Sequence, residues 1–278
     1  MTPVRPLHLR PRKSLGQNFL RDDNTARKIA EAINPGPDDC VLEIGPGEGA
    51  LTRHLAGKCR SLTAVEVDER AVRALRAMFA GGDVEVIPGD FLKTDLQEFA
   101  GRHPGRFRIV GNIPYNITTP ILFHVLDNRQ GVYDITIMVQ REVGRRMMAA
   151  PGSRDYGILS VFCGYFAEVR ALFEVSRDVF YPKPDVMSLV MHLRVREQPV
   201  RAARDEEFFR AMVRSTFGKR RKTLRNSLRY FTLPRGITLP DLPLLQKRPE
   251  QLSLGELVDL SNVLLEGAPA QNGGPERS

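Results

Sequence analysis

The chain has 278 residues, 42% of them hydrophobic and 27% charged, enough for one large domain and a small one around a real core. No apolar run approaches a membrane span, and residues 1–13, with Arg5, Arg10, Arg12 and Lys13 among three prolines, lack the apolar stretch of a secretory signal. Three scattered cysteines without a CxxC pair predict neither disulfides nor zinc, which suits the cytoplasm, and a net charge of +8 points to a polyanionic partner.

Residues 1–12 read as a flexible basic arm. From about Asp23, short apolar runs alternate with helical patterns. Cys40–Ile44, Leu62–Val67, Val84–Ile87, Arg108–Val110 and Ile135–Val139 read as buried strands, apolar on successive positions as a sheet covered on both faces requires. Helices are predicted over Leu51–Ala56, Glu69–Phe79, Pro120–Leu126 and Arg141–Ala149. The alternation predicts right-handed βαβ units in an α/β, doubly wound, Rossmann-like sheet. Tyr156–Ala167 reads as one more helix, and Val169–Val175 with Val186–Val195 as a closing antiparallel pair. The first domain therefore covers 13–198. Beyond Gln198-Pro199 the strand-like runs stop. Asp205 can cap a helix running to Phe217, with Phe209, Val213 and Phe217 on one face, and Leu254–Leu265 is a further helix. Residues 199–266 are expected to form a small all-helical domain, followed by a disordered Gly/Pro tail over 267–278. Between Arg194 and Arg229, twelve Lys/Arg oppose four acids, so this window carries the whole formal excess of the chain. Such a segment attracts nucleic-acid phosphates by counterion release; a solvated helix face is the competing explanation.

The strongest single feature is Val41-Leu42-Glu43-Ile44-Gly45-Pro46-Gly47-Glu48-Gly49-Ala50, a buried strand that enters a glycine-rich turn and opens a helix. About 20 residues on, Val65-Glu66-Val67-Asp68 ends the second strand with an acid able to accept both hydroxyls of a ribose. Gly45, Gly47 and Ala50 also fit a dinucleotide fingerprint. Three details favour S-adenosylmethionine. Glu43 stands two residues before the first glycine, as in methyltransferase loops, where an acid often faces the positively charged methionine end. Pro46 and Gly49 suit that loop. Gly89-Asp90-Phe91 follows the third strand, offering Asp90 to the adenine amino group and Phe91 to the ring.

After the fourth strand comes Gly111-Asn112-Ile113-Pro114-Tyr115-Asn116. The N6 amine of adenine is a poor nucleophile because its lone pair is delocalised into the ring. The Asn112 oxygen and the Ile113 carbonyl can each accept one of its N–H groups and aim it at a methyl donor, so that displacement needs positioning more than a base. Pro114 stiffens the turn, and Tyr115 offers a face to an extruded base, with stacking worth about 1–3 kcal/mol. Phe180, in Phe180-Tyr181-Pro182-Lys183-Pro184, is a candidate second wall; a core position is its alternative.

Together these residues resemble the rRNA adenine N6,N6-dimethyltransferase family. The resemblance spans the chain to about residue 265, from Lys13-Ser14-Leu15-Gly16-Gln17-Asn18-Phe19-Leu20 through the motifs above, Gln140–Val143, Phe180–Pro184 and Arg220–Leu224 to Leu252-Ser253. It implies a class I methyltransferase sheet and S-adenosyl-L-methionine as cofactor. Asn18, Leu20, Glu43, Gly45, Gly47, Glu66, Asp90, Phe91 and Asn112 would contact that cofactor. Asn112, Ile113, Pro114, Tyr115 and Phe180 would hold the target adenine. Arg220, Arg221, Lys222 and Arg225 are the RNA-binding candidates, and no metal is implied. Thr119–His124 and Ala150–Ser153 are closer to the KsgA branch than to the Erm branch. That branch modifies two neighbouring adenosines in a hairpin near the 3′ end of small-subunit rRNA, so the expected partner is that rRNA or the assembling subunit, the expected state a monomer, and no membrane is involved. Ser176-Arg177-Asp178 departs from a segment that is usually proline-rich in the family.

Overall fold

In the computed structural model, which describes residues 8–102, 106–231 and 239–266, a two-residue strand β1 (Phe19–Leu20) precedes helix α1 (Asp23–Ile33). The first seven residues of the basic arm and the tail 267–278 lie outside the described residues. Asp22 caps α1 by accepting from the Thr25 amide, and Asn34 ends it in a left-handed conformation. The alternating section follows: β2 (Asp39–Ile44), α2 (Thr52–Leu55), β3 (Ser61–Glu66), α3 (Glu69–Met78), β4 (Val84–Pro88), α4 (Leu96–Arg102), β5 (Arg106–Asn112), α5 (Thr118–Asp127) and β6 (Val132–Gln140). Then come α6 (Arg141–Met147), α7 (Ile158–Phe166), β7 (Ala167–Val175), β8 (Phe180–Tyr181) and β9 (Ser188–Val195).

Seven strands form one sheet in the order β4-β3-β2-β5-β6-β9-β7. The run from β4 to β6 is parallel, and β9 is antiparallel to both of its neighbours. The two closing strands expected from the sequence are therefore β7 and β9, with β9 placed inside the sheet between β6 and β7. Chain order reverses between β2 and β5, so a crevice opens beyond their C-terminal ends, where sheets of this kind place ligands. Here β5 must come close: a β-carbon on Gly111 would lie 2.7 Å from the Ile44 carbonyl oxygen. At the opposite end of the sheet, Arg108 on β5 is buried with Asp39 and Asp134. It donates from Nε and Nη2 to Asp134 at 2.8 and 2.6 Å and from Nη1 to Asp39 at 3.0 Å. Burial pushes the Asp134 carboxyl up, but His192 and Arg108 outweigh it and hold the group below the usual range. Four strands are thus tied by charges that burial would penalise if they were unpaired.

The chain divides into two units: one runs through Arg145 and adds Phe166–Arg196, and the other joins Arg146–Tyr165 to Glu197 onward. The sequence pattern places all of 13–198 in the sheet domain; residues 146–165 instead group with the C-terminal helices. The reason is aromatic packing. The Tyr165 ring lies 4.8 Å from Phe209 and the Tyr156 ring 5.9 Å from Phe217, while the Tyr165 hydroxyl accepts from the Ala203 amide at 3.0 Å. Almost all of α7 is apolar, so its pattern marks no single face and does not name its partner. The helical unit also holds α8 (Glu206–Phe217), α9 (Leu224–Leu228) and α10 (Leu254–Glu266). Asp205 caps α8 through the Phe208 amide, and Phe209, Met212, Val213 and Phe217 form its buried stripe.

Candidate active site

The C-terminal ends of β2, β3, β4 and β5 surround one cleft, and the glycine loop forms its floor. Gly45 and Gly47 adopt φ of 60° and 56°, which a side chain would strain. Beyond that strain, a β-carbon at Gly45 would meet nothing within 4 Å, whereas one at Gly47 would press on the Phe19 ring at 3.0 Å. The loop is braced by Glu66 at the end of β3. Its carboxylate accepts from the Gly47 amide at 2.9 Å and the Asp68 amide at 2.8 Å, which leaves lone pairs for a ligand. Burial raises the Glu66 pKa, and those two amides offset part of the rise.

Glu43, in β2, is 2% exposed, and its Oε2 is buried without a hydrogen-bond partner. Its pKa is pushed up to about 7, chiefly by burial; Thr52 at the start of α2 offsets part of this, and the nearby Glu66 charge adds to it. On the next strand ends, Asp90 is exposed and caps a short turn through the Leu92 amide at 3.0 Å. Phe91 is buried edge-on to His124 with ring centres 5.6 Å apart. Asn18 and Leu20 line the same cleft, with Leu20 in β1.

Asn112 ends β5 and donates from Nδ2 to the Asn18 carbonyl at 3.1 Å, which commits its N–H side to the chain and fixes where the carboxamide oxygen sits. The Ile113 amide donates to the Met138 carbonyl at 3.2 Å. The Pro114 carbonyl accepts from the Ile117 amide and the Thr118 hydroxyl, both at 3.2 Å. Tyr115 is anchored by its hydroxyl, 2.6 Å from Ser188 Oγ, and burial raises its pKa. Asn112, Ile113, Pro114 and Tyr115 all line the cleft, together with every expected cofactor residue.

Phe180 is not brought there. It pairs with Leu20 across the two-stranded sheet β1–β8, is 5% exposed and packs in the core with Ala26, Ile29 and Val190. The departing segment Ser176–Asp178 forms a turn, capped by Ser176, that leads directly into this strand. Val67, Gln17, Leu51 and Ile121 line the cleft without having been expected there. Val67 had the nearest signal, an apolar residue just after the acid that ends β3; it is not in the strand and is 53% exposed. Residues 8–12 of the basic arm are held in place. The Leu9 amide donates to Glu48 at 2.8 Å, and the Arg12 amide donates to Gln17, whose Nε2 donates to Asp68.

The basic run divides. Arg220 donates to the carbonyls of Ser153 and Arg154, and Arg225 pairs with Asp241 at 3.0 Å. Arg221 and Lys222 instead line a hollow of the helical unit with Arg229, Arg248 and Tyr230. Lys222 donates to the Tyr230 hydroxyl at 3.0 Å and pulls its pKa down. Among the described residues, no helix is long and apolar enough to cross a membrane, and no group of three or more His, Cys, Asp or Glu is placed to hold a metal ion.

Known proteins resemble this arrangement over most of its length. The profile described as ribosomal RNA adenine dimethylase matches residues 8–251. The ribosomal RNA small subunit methyltransferase A of Moorella thermoacetica is 48% identical over 233 residues, covering 81% of each chain. The protein of the same name from Chlorobium phaeobacteroides is 47% identical over 253 residues, 91% of this chain and 93% of its own. Among solved structures, a dimethyladenosine transferase from Plasmodium falciparum superposes with a TM-score of 0.73 at 24% identity, covering 90% of this chain and 98% of that one. The 23S rRNA methyltransferase ErmE does so with 0.63 at 32% identity, covering 88% and 99%.

Proposed function

This chain belongs to the ribosomal RNA adenine dimethylase family, and on that premise we propose that it transfers methyl groups from S-adenosyl-L-methionine to N6 of two adjacent adenosines in the hairpin near the 3′ end of small-subunit rRNA. The product is N6,N6-dimethyladenosine. The observation that carries this reading is the meeting of Asn112–Tyr115 with Glu43, Glu66 and Asp90 around one cleft. Small-subunit rRNA is preferred to large-subunit rRNA because the relatives at 47 and 48% identity carry the small-subunit name. We assign the protein to ribosome biogenesis in the cytoplasm, acting as a monomer.

The residues of the cleft fit the cofactor. A buried carboxylate oxygen without a partner, on Glu43, suits a positively charged methionine end. Glu66 keeps acceptor capacity for ribose hydroxyls, and Asp90 can accept from the adenine amino group. Val67 and Phe91, on adjacent strand ends, offer apolar cover for the ring. Asn18, Leu20, Gly45 and Gly47 shape the remaining wall. When bound, the cofactor supplies a methyl group activated on a sulfonium.

The chain's own part is positioning. The oxygen of Asn112 and the carbonyl of Ile113 accept the two N6 hydrogens in the first transfer and share the one that remains in the second, which holds the amine lone pair toward the donor; each transfer releases one N6 proton to solvent. Asn112 borders both the cofactor and the base, and its link to Asn18 keeps the carboxamide from rotating. Pro114 fixes the turn, and Tyr115, held by Ser188, stacks on the extruded base. Arg221, Lys222, Arg229 and Arg248 offer positive charge to the RNA backbone.

Tritiated methyl transfer from S-adenosylmethionine, comparing unmodified small subunits with unmodified large-subunit rRNA and followed by nucleoside analysis, tests this. Dimethyladenosine in the small subunit is expected. Label confined to large-subunit rRNA would instead assign the ErmE-like substrate.

A further inference from the structure

Gly16, Gln17 and Asn18 line the cleft. On the cofactor side, Gln17 Nε2 donates to Asp68 at 3.1 Å, and the Asp68 amide donates to Glu66. Just beyond β1, Arg21 is held at two points by Glu48 of the glycine loop, Nη2 to Oε1 at 2.9 Å and Nε to Oε2 at 3.1 Å. The same short segment is tied to the base-binding turn at both of its ends. At one end the Asn18 carbonyl accepts from Asn112 Nδ2 at 3.1 Å. At the other the Asn116 carboxamide lies over Gly16: a β-carbon there would overlap Asn116 Oδ1 and sit 3.1 Å from its Cγ. Gly16 accepts this cover because it has no side chain, and its φ of 61° ends the short turn Lys13–Leu15 in the left-handed region. Asn18 Nδ2 donates to the Gly16 carbonyl at 3.2 Å, which makes the segment one unit.

Residues 112–116 therefore grip residues 16–18 at two points. The Asn112 oxygen is aimed only as well as the Asn18 carbonyl that holds its Nδ2 is itself held. Asn116 is exposed, so its contact with Gly16 bears on where the segment sits far more than on the stability of the fold.

We propose that Asn116 is a positioning residue for methyl transfer: by covering Gly16 it holds the Asn18 carbonyl, and through it the Asn112 oxygen, at the place of the target amine. This role rests on the RNA reading above. The demand is greatest in the second transfer, when a single N6 hydrogen remains to orient the amine.

The test uses the full chain and unmodified small subunits, with single-turnover rates at saturating cofactor and nucleoside analysis of the products. Asn116→Ala is expected to lower the rate about tenfold, less than the roughly hundredfold that a 1 Å misplacement costs, and to let N6-monomethyladenosine accumulate. Cofactor affinity, RNA affinity and the unfolding midpoint stay nearly unchanged. Asn116→Leu keeps a branched γ-carbon over Gly16 and restores the rate, which separates packing from a hydrogen bond between the carboxamide and RNA. Gly16→Ala pushes the carboxamide aside and gives the same rate loss and product mixture, with a lower unfolding midpoint because alanine is strained at positive φ. The double variant is no slower than either single one, because both changes remove the same contact. Additive rate losses, Asn116→Leu as slow as Asn116→Ala, or Asn116→Ala with an unaltered rate and dimethyladenosine yield would overturn the positioning role and leave the substrate reading standing. Absence of methyl transfer by the unaltered chain would overturn both.

Discussion

At the scale of single residues, Glu43 sets a measurable pH response. Its pKa in the folded chain, about 7, lies above the ordinary glutamate value. Between those two values the folded chain holds more protons than the unfolded one, so this group's contribution to stability falls as pH rises through that window. A cation in the cleft favours the ionised form, which reverses the preference. Cofactor affinity should therefore weaken as pH falls through about 7. Binding near that pH should release protons, read as calorimetric heats that vary with the buffer. Glu43→Gln should flatten both responses. Asn112→Ala should abolish methyl transfer while leaving cofactor affinity within a few-fold; a variant with unaltered turnover would refute the amine-positioning role. The placement of Asn112 and Tyr115 at the cleft was legible because the two are nearly contiguous at a strand end. Ser188, which holds Tyr115 from 73 residues away, and the Arg21–Glu48 pair, 27 residues apart, were not, because only the folded chain brings them together.

At the scale of elements, the close approach of β5 to β2 leaves no room for a side chain at Gly111. Gly111→Ala would place a methyl group 2.7 Å from the Ile44 carbonyl, an atom of a buried strand that cannot rotate away. Overpacking of this kind costs about 1–3 kcal/mol, so a lower unfolding midpoint and weaker cofactor binding are expected together. The five parallel strands were readable from dense β-branched runs. Besides α1, the elements that escaped were α4, which buries only Leu96 and Phe99, and the β1–β8 pair, whose two-residue strands carry no period. That second omission hid the packing of Phe180: one step of register decides whether Phe180 or Tyr181 faces the core, and no run this short encodes it.

At the scale of the molecule, the cationic window was plain in the sequence, but its division between structure and surface was not. Neutralising Arg221 and Lys222 together should weaken RNA binding and lower the slope of log affinity against log salt by up to about two, near one for each phosphate left without its cation. Neutralising Arg220 and Arg225 should lower thermal stability more than it changes that slope, because their partners are carbonyls and Asp241 of the same unit. Equal slopes for the two double variants would return the run to an undifferentiated solvated face. The grouping of 146–165 with the C-terminal helices was hidden for a related reason, since a nearly all-apolar α7 states that it is buried without stating against what.

The insertion of β9 between β6 and β7 has a consequence for vectorial synthesis. Both neighbours leave the ribosomal exit tunnel before β9 does, so the growing chain carries β6 with a bare edge until Ser188–Val195 emerges. Such an edge is a template on which another strand can pair. Ser188 opens β9, so the hydroxyl that locks Tyr115 arrives in the same event that closes the sheet. A chain arrested before that point has its glycine loop but lacks the hydroxyl that holds the Tyr115 ring, so the proposed base platform is completed only together with the sheet.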